Sequence, residues 1–225
     1  MRILAVSDEE VSALWEYYQP GRLDGYDLIL SCGDLKAKYL EFLVTMARCP
    51  LLYVHGNHDG GYERKPPQGC DCIEDKLVVY RGLRILGLGG CRQYHPGPHQ
   101  YTEKEMRRRI RRLRFALWRA GGVDVVVTHA PPAGLGDGDD PAHRGFEVLV
   151  ALLDKYKPAW LLHGHVHMRY GIDGREVQYG KTRVINVSER YVLDLPDREF
   201  SEKDRYRVIW KNGAPKVSEP VEEEY

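Results

Sequence analysis

The chain has 225 residues, a length that suits one large domain or two small ones. Its 33 Lys and Arg balance 33 Asp and Glu, so it lacks the basic excess needed to coat nucleic acid or an anionic membrane. Apolar types at 43% and charged types at 29% suit a soluble globule with a sizeable core, and no apolar run reaches the length of a membrane span.

Arg2 to Val6 is a short apolar run broken at Ser7-Asp8, the pattern of a buried strand ending in a polar loop. Apolar spacing predicts a helix over Val11 to Tyr18, stopped by Pro20-Gly21. Leu28 to Leu30 is a second strand, ending at Gly33-Asp34, and Tyr39 to Arg48 is helical in spacing up to Pro50. Leu51 to Val54 is a third strand and runs into His55-Gly56-Asn57-His58-Asp59. Strand, polar loop and helix thus alternate twice by residue 60, the signature of a parallel or mixed α/β sheet. Leu77 to Tyr80 and Leu83 to Leu88 then flank Arg81-Gly82, a tight-turn pair. Thr102 opens a long helix to about Arg119, with Glu105 completing a capping box and Gly121-Gly122 as the stop. Val123 to Val127 is a buried strand ending at Thr128-His129, followed by a Gly/Asp-rich loop at 131–141 and a helix from about Gly145 to Tyr156. Ala159 to Leu162 ends at His163-Gly164-His165-Val166-His167, and Thr182 to Val187, Tyr191 to Leu195 and Tyr206 to Trp210 are three further strands. No composition shift marks a linker, so 1–212 reads as a single domain and 213–225 as an acidic, disordered tail.

The chemistry-bearing residues collect at strand ends. Five strands terminate in Asp8, Asp34, Asn57-His58, His129 and His165-Val166-His167. In an α/β sheet the carboxyl ends of the strands form the crevice where ligands bind. Carboxylates, an amide and imidazoles gathered there are ligands for Mn, Fe, Zn or Mg. Six of the nine histidines (55, 58, 129, 163, 165 and 167) fall in these segments.

In order and in strand–loop context, Asp8, Gly33-Asp34, Gly56-Asn57-His58-Asp59, Thr128-His129 and Gly164-His165-Val166-His167 resemble the motif series of the calcineurin-like metallophosphoesterases, from residue 2 to about 188. The resemblance implies a four-layer α/β/β/α sandwich with two mixed sheets, holding two divalent metal ions. By it, Asp34 would bridge the ions, Asp8 and His167 would serve the first, and Asn57, His129 and His165 the second. A hydroxide bridging the two ions would attack phosphorus in line. His58 would stabilise or protonate the leaving-group oxygen, with Asp59 orienting its ring.

One position departs from the family's Asp-x-His, since here the residues are Asp8-Glu9-Glu10. In an extended segment Glu10 points to the same side as Asp8, and its carboxylate would ligate the first metal and favour Mn or Mg over Zn. Alternatively Glu10 starts a helix, where acids are favoured, and the first metal is weak or absent. Pro131-Pro132, Gly134 to Asp137, His143-Arg144-Gly145 and Gly171 resemble a branch of small phosphodiesterases that includes enzymes acting on cyclic nucleotides. By that likeness Arg144 and His143 face the substrate phosphate or base, or else cap the helix that follows.

The resulting expectation is a metal-dependent phosphodiesterase acting on small or nucleotide-like esters, with Mn the favoured ion and Fe, Mg or Zn compatible. The rivals are a non-catalytic protein-binding scaffold with a weakened first metal site, and a nuclease using the helix 102–119, which carries eight basic residues. A solvated face is the usual fate of such a helix, so a small phosphoester is the expected partner and nucleic acid is not. Residues 174–182 miss the phosphate-loop spacing and precede a strand-rich run. Cys70-Asp71-Cys72 has no second ligand pair at zinc spacing, and five scattered Cys build no disulfide framework. With no signal peptide at MRILAVSDEE, the cytoplasm is the expected compartment. Trp15, Trp118, Trp160 and Trp210 are read as core.

Overall fold

The computed structural model describes residues 1–167 and 174–211; Gly171 and the tail at 213–225 lie outside them. Strands β1 (Arg2–Ser7), β2 (Leu28–Ser31), β3 (Leu51–Tyr53) and β4 (Asp71–Cys72) run parallel, with helix α1 (Ala37–Ala47) crossing between β2 and β3. β5 (Lys76–Tyr80) and β6 (Leu83–Leu88) form an antiparallel hairpin. Its turn residues Arg81 and Gly82 both have positive φ, 45° and 76°, as a primed turn requires. β7 (Cys91–Arg92) and β8 (Gln100–Tyr101) pair separately ahead of α2 (Glu103–Arg119). Then come β9 (Val125–Thr128), α3 (Glu147–Tyr156) and β10 (Trp160–His163). β11 (Glu176–Tyr179), β12 (Thr182–Asn186), β13 (Glu189–Asp194) and β14 (Tyr206–Lys211) complete the chain. One sheet has the order β13-β1-β2-β3-β4, the other β11-β12-β10-β9-β6-β5-β14.

Strand alternation builds the layers. In β1, Ile3 and Ala5 enter the apolar cluster between the sheets, while Leu4 and Val6 face the opposite way onto Tyr39, Leu40 and Leu43 of α1. In the second sheet Val125 and Val127 meet that inter-sheet cluster, and Val126, Leu161 and Val184 pack under Met106, Leu113, Leu149 and Leu153 of α2 and α3. The result is the four-layer α/β/β/α sandwich with two mixed sheets. Among the described residues no helix is long and apolar enough to cross a membrane.

Three expectations are corrected. The predicted helix at 11–18 is only a 3-10 turn at Ser12–Leu14. A short isolated helix is marginal in water, and Trp15 and Tyr18 instead pack their rings on Phe42. Trp118 is 75% exposed, because it lies one residue past the buried Leu117 and so about 100° off the core-facing stripe of α2. Arg109, grouped by sequence with the solvated basic face, is buried, since it stands three residues after Met106 on that same stripe. Trp15 and Trp160 are half-buried against the core, and the Trp210 side chain lies outside the description.

Candidate metal centre

The carboxyl ends of β1, β2 and β3 in one sheet face those of β9 and β10 in the other, and the polar residues of five loops meet there. Asp8, Asp34 and His165 all take left-handed backbone conformations, with φ of 65°, 57° and 69°. Glu9 N–H donates to the Ser7 carbonyl at 2.7 Å across Asp8, and Val166 N–H to the Gly164 carbonyl at 2.9 Å across His165. Each is a γ-turn with positive φ at its centre, a strained arrangement costing on the order of 1–3 kcal/mol that persists only where surroundings over-determine it. The surroundings here are other loops. Asp8 Oδ1 accepts the His165 N–H at 2.9 Å, and a Cβ on Gly164 would collide with Ser7 and Asp8. A Cβ on Gly56 would strike the Asp34 carboxylate, which is why the chain needs glycine at that crossing.

The donor atoms are oriented by what their other ends bind. His129 Nδ1 donates to the Cys32 carbonyl at 2.8 Å, which turns Nε2 toward Asp34 Oδ2 at 3.2 Å and Asn57 Oδ1 at 3.1 Å. The Asn57 amide nitrogen donates to Tyr94 Oη at 3.4 Å, so its oxygen faces inward. His165 Nε2 donates to the Ala142 carbonyl at 2.7 Å, leaving Nδ1 as the free lone pair. One donor atom each from Asp34, His129 and His165 lies within 4.8 Å of the other two. Ligands at right angles with bonds of about 2.1–2.2 Å stand roughly 3.0 Å apart, so spacings of 3.1 and 3.2 Å suit a six-coordinate divalent ion.

The electrostatics call for positive charge. Burial pushes the Asp8 carboxyl above its ordinary range, and its Oδ2 is buried with no hydrogen-bond partner among the described residues. Burial would push the His129 ring down, but the neighbouring Asp34 and Asp8 outweigh it and hold the ring up to about 9. Burial and the charge of His129 drop His165 to about 3, keeping that ring neutral and able to ligate. An orphaned carboxylate oxygen beside Asp34, His165 and a His129 ring whose Nε2 proton a cation would replace fits a bound cation.

The other predicted residues are placed as follows. His58 is 77% exposed, with Nε2 4.0 Å from Asp34 Oδ2, while its backbone N–H donates to Asp34 Oδ1 at 2.8 Å. Asp59, expected to orient the His58 ring, instead accepts the backbone N–H groups of Asp34 and Gly56, each at 2.8 Å, and so clamps two site loops together. Burial and the Asp34 charge raise its carboxyl to about 6. Glu10 turns away, accepting the Lys36 N–H at 3.2 Å and pairing with Lys36 Nζ at 3.3 Å. His167 Nδ1 meets Glu9 Oε1 at 3.1 Å. His143 binds Asp140 Oδ2 at 2.8 Å, Arg144 is exposed, and neither caps α3. That helix is capped from α2, where Glu103 accepts the Glu147 and Val148 N–H groups at 2.8 and 3.3 Å. His143 and His167 line a cavity of about 830 Å³ with His163, Arg175 and Asn186.

Sequence reasoning missed the support behind the site. Arg109 forms ion pairs with Glu74 and with Asp75, and Glu74 Oε2 accepts the His55 N–H at 3.1 Å, two residues before Asn57. The signal was the spacing Met106–Arg109–Leu113–Ala116, which places an arginine on an apolar stripe.

Among known proteins, residues 1–169 match the family model described as calcineurin-like phosphoesterase. The UPF0046 protein K07C11.7 of Caenorhabditis elegans is 26% identical over 195 residues, 72% of this chain and 62% of the relative. The UPF0046 protein C25E10.12 of the same organism is 24% identical over 190 residues, 70% of this chain and 63% of the relative. The chain therefore spans less than two thirds of the length of these curated relatives. The crystal structure of TT1561 of Thermus thermophilus aligns with a TM-score of 0.58 at 18% identity, over 84% of this chain and 89% of that one. A second crystal structure aligns with a TM-score of 0.60 at 16% identity, over 92% of this chain and 97% of that one. At such identity the likeness is one of fold.

Proposed function

This chain belongs to the calcineurin-like phosphoesterase family, and on that premise we propose that it hydrolyses phosphodiesters of small or nucleotide-like alcohols with divalent metal ions, Mn the favoured one. The observation that carries the reading is the convergence of Asp34, His129 and His165 within 4.8 Å, joined by the inward-facing Asn57 oxygen. These four would hold one ion, and Asp8, whose Oδ2 is buried without a partner among the described residues, would serve a second with Asp34 and His167. When bound, such ions supply Lewis-acid charge to the phosphoryl oxygens and lower the pKa of the attacking water.

The chain's own groups do the rest. His58 stands out into solvent beside Asp34, placed to donate a proton from its ring to the departing alkoxide. Asp59 holds the loops of Asp34 and Gly56 at fixed separation, so the group that donates and the groups that bind metal move as one unit. The cavity of about 830 Å³ next to His167 is large enough for a nucleoside-sized ester substituent.

The test is hydrolysis of an aryl phosphodiester by metal-stripped protein with single ions added back. Mn is expected to restore turnover, and Asp34→Asn to lower it by about a hundredfold or more. A fully active Asp34→Asn protein would remove the site assignment, and turnover indifferent to metal would remove the reaction class.

A further inference from the structure

We propose that the outer face of α2 binds single-stranded nucleic acid, at a surface separate from the metal centre and independent of it. From Met106 to Arg119 the helix contains no acid, although the chain as a whole is neutral. Arg107, Arg108, Arg111, Arg112, Arg114 and Arg119 are all exposed, and among the described residues Arg109 alone of the α2 arginines forms ion pairs. Arginines elsewhere are neutralised locally, since Arg2, Arg84, Arg183 and Arg207 each hold a carboxylate. Like charges at i,i+4, as at Arg107–Arg111 and Arg108–Arg112, destabilise a helix. The face therefore weakens its own element and keeps its charge for a partner.

Charge alone would be met by water and salt, and the aromatic side chains supply the second observation. Phe115 is 59% exposed and Trp118 75%, with ring centres 5.7 Å apart and planes tilted by 36°. At spacings of three and four, Arg108, Arg111, Phe115 and Trp118 form one stripe along roughly 15 Å of helix, opposite the buried Met106, Ile110, Leu113 and Leu117. Beside that stripe, where the C-terminal ends of α2 and α3 meet, a groove of about 630 Å³ is lined by Phe115, Trp118 and Tyr156 together with Arg114 and Lys155. Guanidinium groups alternating with aromatic rings complement a chain of phosphates alternating with bases, because each arginine fork matches a phosphate and every base offers a face for stacking. Bases of a duplex are already stacked on one another, so the rings select a single strand. A flat anionic bilayer would meet the same charge but leave the groove unfilled. α2 returns from the carboxyl end of β6 to the amino end of the parallel β9, which puts Trp118 at the opposite end of the sheet from His129.

Fluorescence anisotropy of a labelled oligothymidylate of about 12 nucleotides tests this, with divalent metal chelated so that nothing is hydrolysed. Wild-type protein should bind the strand at about 50 mM salt, and RNA of equal length to within about threefold, since the contacts are to phosphates and base faces. Trp118→Ala should weaken binding by about five- to a hundredfold, the loss of one stacked base. Arg108→Gln combined with Arg111→Gln should make the slope of log affinity against log salt shallower by about 1.4, the share of two phosphates on a single strand. All three side chains lie at the surface, so the variants should match wild-type in melting temperature. Equal binding by Trp118→Ala and wild-type, a salt slope unmoved by the double substitution, or a duplex held as tightly as the single strand would each overturn the proposal. Failure of wild-type to bind the strand would do the same, and binding to phosphatidylglycerol vesicles in its place would make the face a membrane surface.

Discussion

At the scale of single residues, the proposed site separates the groups that would bind metal from the group that would react. His129 and His165 are buried and tied at one ring nitrogen to backbone carbonyls, whereas His58 is exposed. The contribution of His58 to the loop is its backbone N–H on Asp34, which alanine retains. His58→Ala is therefore expected to lower kcat by about 10²–10⁴-fold with Mn content unchanged, the range for losing a general acid. Metal analysis alongside steady-state kinetics decides it: lost metal would make His58 a ligand, and an unchanged kcat would leave it without a role. Most of these residues were legible because strand-end motifs are local in sequence. The turn at Asp8 was not, since its positive φ is held by contact with the 164–165 loop, more than 150 residues away.

Elements were legible where their own signals were complete. α2 begins at the predicted cap, with Thr102 Oγ1 accepting the Glu105 N–H at 3.2 Å and Glu105 accepting the Thr102 N–H at 2.8 Å. α3 has no such signal at its start: Phe146 occupies the N-cap and gives no side-chain bond. Its first two N–H groups are met by Glu103 from the first turn of α2, a tertiary contact that no local pattern announces. The same carboxylate lies at the positive end of the α3 dipole. Glu103→Ala should consequently cost about 1 kcal/mol, as loss of an N-cap does, and Glu103→Gln less because it keeps an acceptor. Urea unfolding at constant m-value measures it, and an unchanged midpoint in Glu103→Ala would mean water satisfies the α3 terminus equally well.

Across the whole molecule, the three apolar clusters follow from strand and helix periodicity, but the charge buried among them does not. Arg109 of α2, Glu74 and Asp75 before β5, and His55 after β3 join a helix to both sheets behind the metal donors. Arg109 also lies over the Tyr101 ring, 4.2 Å from its centre. Removing one member of a buried ion pair leaves an uncompensated charge, so Arg109→Leu should destabilise by about 3–5 kcal/mol, while Arg109→Leu with Glu74→Leu should recover part of that loss. A pH dependence follows from the same cluster. Burial pushes the His55 ring down, but the neighbouring Cys72 and the Glu74 carboxylate, 3.4 Å from Nδ1, outweigh it and raise the ring from 6.5 to about 10. The folded state then binds the proton more tightly than the unfolded one, so this stabilisation is complete below pH 6.5 and declines as pH rises toward about 10. In metal-free protein the unfolding free energy should fall across that window, and Glu74→Gln should flatten the slope while lowering stability at pH 6. A slope of the opposite sign, or one that Glu74→Gln leaves untouched, would show that His55 is neutral in the fold and that Arg109 alone compensates Glu74.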